Sequence, residues 1–275
     1  MNLLLESFRT INRNLGMIWP PVVMGLGFFL LMAISFGALI AGTGFFQALG
    51  ELVNATGDLD SLQVQDFLSQ LNPGLLIIFI VLVILFMILG FLIGPFITGG
   101  MYAISSAVID GSKQYWSSFF QGGFRYLGWG ILFIFVSIAV YIPMWILEWL
   151  LGPANPRDIN PLLEIIRFVY SIAVTYLLYL FYPALIDGKE GFVDSIRTSF
   201  SLAWKAFLLT ILPVIGLLVA GVIVFLILLA IGYFTHPLAA VLIGIPLALY
   251  LSPLYYVWAT LVYRELTHPS DPFTD

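Results

Sequence analysis

The sequence predicts an all-α integral membrane protein. Six transmembrane helices form three repeats, each an interfacial amphipathic helix plus a transmembrane hairpin, with both termini cytoplasmic. Three observations lead there. Only 9% of the 275 residues are charged while 61% are hydrophobic, and mean hydropathy is +1.06. A soluble domain carries about 25% charged residues, so this chain could not cover a water-facing surface. Six apolar stretches are each long enough to cross a bilayer, and an Asp-Gly word recurs between them: Ala107-Val-Ile-Asp-Gly111 and Ala184-Leu-Ile-Asp-Gly188.

The N-terminal MNLLLESFRTINRNLG does not read as a signal peptide. Glu6, Arg9 and Arg13 interrupt it before any long apolar core, and no small-residue cleavage site follows. It reads as a retained cytoplasmic helix with the stripe Leu4, Phe8, Ile11 and Leu15. A crossing helix needs about 20 apolar residues, at about 1.5 Å each across about 30 Å. The qualifying stretches run from Gly16 to Ala41, Leu75 to Ile109, Tyr126 to Leu150, Leu162 to Ile186, Ala206 to Phe234 and Leu238 to Tyr263. They are continuous rather than alternating, which favours helices over barrel strands. The extracytoplasmic loop 42–74 is acidic, with Glu51, Asp58, Asp60 and Asp66. It has helical potential from Ser61 to Leu71, ended by Asn72-Pro73-Gly74, and reads as a solvated cap.

Orientation follows from Lys and Arg placement. Arg9, Arg13, Lys113, Arg125, Lys189, Arg197, Lys205 and Arg264 fall on one side; only Arg157 and Arg167 fall on the other. Trp19, Trp204 and Trp258 lie near the cytoplasmic boundary and Trp145 and Trp149 near the outer one, where amphipathic indoles prefer to sit.

The Asp-Gly words mark an internal repeat. Beyond them Tyr115 meets Phe192, Ser118 meets Ser195 and Phe119 meets Ile196, while Glu6-Ser-Phe-Arg-Thr10 matches Asp194-Ser-Ile-Arg-Thr198. The units span about 1–109, 110–186 and 187–265, with Asp110, Gly111, Asp187 and Gly188 as repeat boundaries that end one helix and turn into the next. Each unit opens with an amphipathic helix suited to the interface plane. Phe8 and Arg9, Trp116 and Phe119, and Ile196, Arg197 and Trp204 are the candidate interface or lipid-facing residues. Gly90 and Gly94 make a small-xxx-small pair, and Pro95 and Pro253 each break a late span; these four are candidates for packing or a hinge.

Chemistry is sparse. There is no cysteine, only two histidines, and a net charge of −5 that argues against nucleic acid. HExxH, GxSxG and P-loop signatures are absent. The Asp-Gly words lack the companion aspartates of the CDP-alcohol phosphotransferase motif and lie at helix ends. Span centres hold almost no ionisable residues, contrary to the habit of ion-coupled transporters. No catalytic residue, metal or cofactor is expected.

One resemblance stands beside this reading. The Asp-Gly element, the amphipathic stretch with Ser195 and Phe200, the Trp204-Lys205 opening into span five, and the exit from Pro253 through Tyr263-Arg264-Glu265 are together similar to a prokaryotic multi-span family. That family includes the membrane domain found beside glycerophosphoryl diester phosphodiesterases and its stand-alone relatives. The resemblance covers the chain from about Gly90 onward and carries over no catalytic residue, because the hydrolase chemistry belongs to a separate soluble domain. It implies a bilayer-resident module of the prokaryotic cytoplasmic (inner) membrane. The expected function is that of a non-catalytic accessory, scaffold or lipid-associated subunit. Membrane lipids and a protein in a larger complex are the implied partners, and a homo-oligomer is compatible with the sequence. The alternative is a channel or transporter for a small or amphipathic solute, with its path between the repeats.

Overall fold

The computed structural model describes residues 3–42, 73–151, 160–205 and 237–268, together with isolated positions between 207 and 229. All regular structure among the described residues is helical. Helix α1 is Leu3–Arg13, and a 3-10 turn at Leu15–Ile18 leads to α2, Trp19–Gly42. Then come α3, Pro73–Ile109, and α4, Tyr115–Leu151. A single apolar stretch is divided into α5, Pro161–Leu178, and α6, Phe181–Ile186. The remaining helices are α7, Phe192–Lys205, and α8, Pro237–Thr267.

Four stretches are long and apolar enough to cross a membrane: Leu15–Ala38, Ile77–Ile109, Tyr115–Leu151 and Pro161–Ile186. They cover most of each of the first four expected spans, the third beginning at Tyr115 rather than Tyr126. The fifth, Ala206 to Phe234, lies outside the described residues except at isolated positions, as does most of the loop 42–74. The sixth falls within α8.

Residues 22–94 form one compact unit. Within it Phe28 meets Phe86 at 5.8 Å, and Phe36 meets Phe79 at 5.5 Å and Phe86 at 5.3 Å. Leu26, Phe29, Leu30, Ile77, Val81 and Met87 are exposed around these rings. An apolar surface this continuous suits hydrocarbon rather than water.

The rest of the described chain forms the second unit, built around α5, α6 and α8. Pro183 sets the break between α5 and α6. It lacks the N–H that would bond the Tyr179 carbonyl, and its ring crowds that carbonyl, so the helix stops at Leu178 and restarts at Phe181. The rings around the break fill the core: Tyr179 stacks on Trp258 at 5.5 Å, Tyr182 on Tyr102 at 5.2 Å, and Phe181 on Phe133 at 4.4 Å.

Around this core the chain approaches itself through small residues. The C-terminal third of α3 meets the start of α4 at Gly99, Gly100, Gly122 and Gly123. A Cβ on Gly122 would strike the Ala103 Cβ and stand 3.1 Å from the Gly99 carbonyl oxygen. This seam explains a departure from expectation. The stretch from Tyr115 to Phe124 is not a separate interfacial helix but the first turns of α4, which runs unbroken to Leu151. Its two glycines lie against neighbouring backbone and rings, so their packing outweighs their low helix propensity.

Of the other two stretches expected as interfacial helices, α1 ends at Arg13 before the 3-10 turn, and α7 is described as far as Lys205. α1 lies along α8, with Phe8 stacked on Tyr250 at 6.3 Å and the Tyr250 hydroxyl donating to Asn12 Oδ1 at 2.7 Å. α7 lies against α5 and α6 through Phe192, Ser195, Ser199 and Ala203, all buried. Ser199 Oγ donates to the Leu177 carbonyl at 2.7 Å, and the Tyr176 hydroxyl donates to the Ala203 carbonyl.

The glycine seam gives the first prediction. Gly122→Ala is expected to lower stability by ~1–3 kcal/mol, the usual cost of overpacking a full site. Gly128→Ala, on the same helix with nothing within 4 Å of the new Cβ, is expected to hold or raise it. Thermal unfolding of both purified variants in detergent distinguishes them. Equal melting temperatures would show that the seam carries no strain.

Candidate functional site

The two Asp-Gly words look alike in sequence and are built differently. After α3 the Gly111 N–H donates to the Val108 carbonyl at 3.0 Å and the Ser112 N–H to the Ala107 carbonyl at 2.9 Å. This is a Schellman ending, and Gly111 sits at its left-handed position with φ +82°. After α6 the Asp187 and Gly188 N–H groups both reach the Pro183 carbonyl, at 2.9 and 3.2 Å. There the left-handed residue is Lys189, with φ +54°. Gly188 is needed for space instead: a Cβ would strike the Tyr263 hydroxyl and stand 2.6 Å from the Ala184 carbonyl oxygen.

Both turns deliver an aspartate to Arg264, in the last turn of α8. Arg264 Nε and Nη2 donate in a fork to Asp187 Oδ2 and Oδ1, at 2.8 and 2.6 Å. Nη1 donates to Asp110 Oδ1 at 2.7 Å, and Nη2 also to Ser106 Oγ at 3.2 Å. The Ser106 hydroxyl passes its own hydrogen to Asp187 Oδ1 at 2.6 Å. All three guanidinium nitrogens are thus engaged, and the C-terminal ends of α3, α6 and α8 are tied together.

The two links differ in strength. The Asp187 side chain is 12% exposed and Arg264 26%, whereas Asp110 is 61% exposed. A bidentate, largely buried pair is among the stronger ionic contacts, and an exposed one contributes about 0–1 kcal/mol. Asp187 is therefore the main partner. Its hydrogen bonds hold the Arg264 guanidinium even further toward the charged form than usual, against partial burial, which pulls the other way.

An open cleft of about 390 Å³ lies over this cluster, lined by Ser106, Asp110, Ile186, Asp187, Lys189, Arg264 and His268. Its chemistry is that of a clasp. Both carboxylates are spent on Arg264, and Ser106 bonds a carboxylate rather than a histidine that could activate it. Among the described residues no group of three or more His, Asp or Glu side chains is placed to hold a metal.

The sequence-derived candidates are scattered over other surfaces. Arg9, Trp116 and Arg197 are exposed, Phe8 and Ile196 half-buried, and Trp204 is 82% exposed. Phe119 does not face lipid; it is fully buried under Gly100 and against Phe96. Along α7 the seam is Phe192 followed by serine and alanine, while Val193, Phe200 and Trp204 face outward. Gly90 and Gly94 do not act as close-approach positions among the described residues: a Cβ on Gly94 meets nothing within 4 Å, and one on Gly90 only grazes Phe28. Pro95 and Pro253 are buried, and Pro95 lies against Gly130.

Sequence reasoning grouped the two aspartates as boundaries and missed what joins them. The signal was present. Arg264 is the sole Lys or Arg in α8, it follows a long apolar run, and it exits on the side to which both Asp-Gly words were assigned. Comparison of the chain with protein-family models, with curated proteins and with solved structures finds no match.

The clasp yields a second prediction. Arg264→Met strands the buried Asp187 carboxylate and is expected to cost ~3–5 kcal/mol, the range for a broken buried pair. Arg264→Lys loses the fork and should fall between, and Asp110→Asn should cost under ~1 kcal/mol. Adding Asp187→Asn to Arg264→Met should restore part of the loss, since no charge is left unpaired. Melting temperatures of the set in detergent give the cycle, and strict additivity of the two changes would contradict the link.

Proposed function

We propose that this chain is a non-catalytic, six-span module of a prokaryotic cytoplasmic membrane, acting as an accessory or scaffold in contact with lipid and with a partner protein. Three units make up the bundle, the first and third opening with an amphipathic helix at the cytoplasmic surface and the second with the first turns of α4, and both termini are cytoplasmic. The resemblance to the membrane domain found beside glycerophosphoryl diester phosphodiesterases points the same way.

The observation that carries this reading is the clasp. The ends of α3, α6 and α8 meet at Arg264, so these three helices terminate on one face. In a six-span chain with a cytoplasmic N-terminus, they are the ends of the second, fourth and last spans. The polar groups at the Asp-Gly boundaries are bonded to one another, in an arrangement suited to holding helices together rather than to turning over a substrate. Details of the helix seams support a repeated unit. Ser7 in α1 and Ser195 in α7 occupy matching positions, both are buried, and each donates at 2.8 Å to the carbonyl four residues earlier.

Two further features favour a scaffold over a solute path between the repeats. Pro95 and Pro253, where such a path would bend the spans, are buried, and rings fill the space among Tyr102, Tyr182 and Tyr256. The outward apolar side of α7, Val193, Phe200 and Trp204, suits the headgroup boundary or a docking partner.

The absence of cysteine gives a clean background for the test. Single substitutions Ser112→Cys and Ser201→Cys are expected to react with an impermeant maleimide only after membranes are opened, and Ser61→Cys in intact cells. Purification from native membranes in mild detergent should then recover a protein partner at near-stoichiometric level by mass spectrometry. Recovery of the lone chain, or labelling of Ser112→Cys from outside, would refute the proposal.

A further inference from the structure

A second opening among the described residues lies away from the clasp. It is a cleft of about 870 Å³ between α1 and the turn that joins α3 to α4. One wall is α1, with Glu6, Arg9 and Arg13; the other carries Ile109, Gly111 and Lys113. The walls are held in place by Asn14, whose Oδ1 accepts from the Tyr115 hydroxyl at 3.1 Å while its Nδ2 donates to the Thr10 carbonyl at 2.9 Å.

Charge sets this cleft apart. Arg9, Arg13 and Lys113 are three of the ten Lys and Arg residues in the chain, and they converge on one opening. Arg9 and Arg13 stand one helical turn apart, on the same side of α1. Among the described residues none of the three has a carboxylate partner, in contrast to Arg167 and Arg264. Unpaired cations gathered in a concave site attract an anion, and Arg forks match phosphate oxygens. Glu6 adds a second requirement. It lines the cleft, and its Oε2 has no hydrogen-bond partner among the described residues. A ligand that carries both a phosphate and a hydrogen-bond donor would satisfy both deficits.

The surroundings say where such a ligand comes from. Leu4, Leu5 and Leu15 are exposed on or beside α1, and Trp19 is exposed at the start of the first apolar stretch. Polar cleft and apolar rim together fit a molecule with a phosphate head and acyl chains. We propose that this cleft binds the headgroup of a glycerophospholipid, with its phosphate on Arg9, Arg13 and Lys113 and its ammonium or hydroxyl on Glu6. The inference rests on the membrane-surface placement of α1 in the proposed function.

The test uses the purified full chain in detergent, with bound molecules counted by native mass spectrometry. The probes are phosphatidylethanolamine, phosphatidylglycerol, phosphatidylcholine, sn-glycerol 3-phosphate and inorganic phosphate. Phosphatidylethanolamine and phosphatidylglycerol should be retained, and phosphatidylcholine, which has no donor, should bind more weakly. Arg13→Gln and Lys113→Gln should each weaken retention by about tenfold, the equivalent of one charge-assisted bond. Glu6→Ala should erase the preference over phosphatidylcholine. Both cations are exposed and on opposite walls, so the melting temperature without added lipid should not change, and either variant alone suffices. Wild-type binding by both, equal retention of phosphatidylcholine, or displacement of the lipid by matching concentrations of inorganic phosphate or glycerol phosphate would overturn the proposal. Because the detergent assay is blind to orientation, its failure is distinct from a reversed labelling pattern in the cysteine experiment.

Discussion

The fork between Arg264 and Asp187 is the constraint on which the second unit depends. Apolar helices in a bilayer gain little from mutual contact, because lipid tails are as apolar as leucine. What fixes their ends relative to one another has to be directional. A guanidinium bonded through two nitrogens to a carboxylate defines both distance and plane, and its third nitrogen is then aimed, here at Asp110. Asp110 and Asp187, 154 and 77 residues before Arg264, are thereby held at one level with it. Breaking the fork costs more than making it gains, since the carboxylate it would abandon is largely buried.

Close approach of the helices follows a related logic. Where α1 and α7 pack inward, serines stand beside Ile11 and Phe192, and their hydroxyls bond to carbonyls on their own or the adjoining helix. Beyond Phe192 the small seam of α7 brings backbones near and leaves Phe200 and Trp204 pointing away. The usual arrangement of a surface helix, apolar in and polar out, is thus split three ways: serine to the seam, aromatic residues outward on one side, and charge on the other. Such a helix is suited to the boundary between water and hydrocarbon, where all three environments are met at once.

Much of the architecture was legible because the underlying physics is coarse. A run of about 20 apolar residues has few alternatives to a helix in lipid, and the first four apolar stretches appear where periodicity and length put them. The break at Pro183 and the continuity of α4 were less visible. In the first a proline acts on a carbonyl four residues back; in the second the low propensity of Gly122 and Gly123 is outweighed by neighbours on another helix. Phe119 was misplaced for a similar reason. An aromatic residue on an amphipathic stripe can face lipid or fill the space over a glycine, and only Gly100 on α3 decides which. The clasp was half legible: its aspartates announced themselves by repetition, while its arginine looked like one of several charges marking the cytoplasmic side.

The repeated Asp-Gly word shows how like sequences are turned to unlike ends. At the first, glycine supplies a left-handed turn, and the aspartate stays in water with a weak link to Arg264. At the second, glycine makes room for Tyr263, the left-handed step moves to Lys189, and the aspartate is drawn under the guanidinium. One turn is therefore a fixed anchor. The other keeps its surface, and the residues just after its aspartate, Gly111 and Lys113, form a wall of the basic cleft while Asp110 touches the clasp. A chain with few charges places them economically. The turn after α3 serves two sites at once because the turn after α6 bears most of the load at one of them.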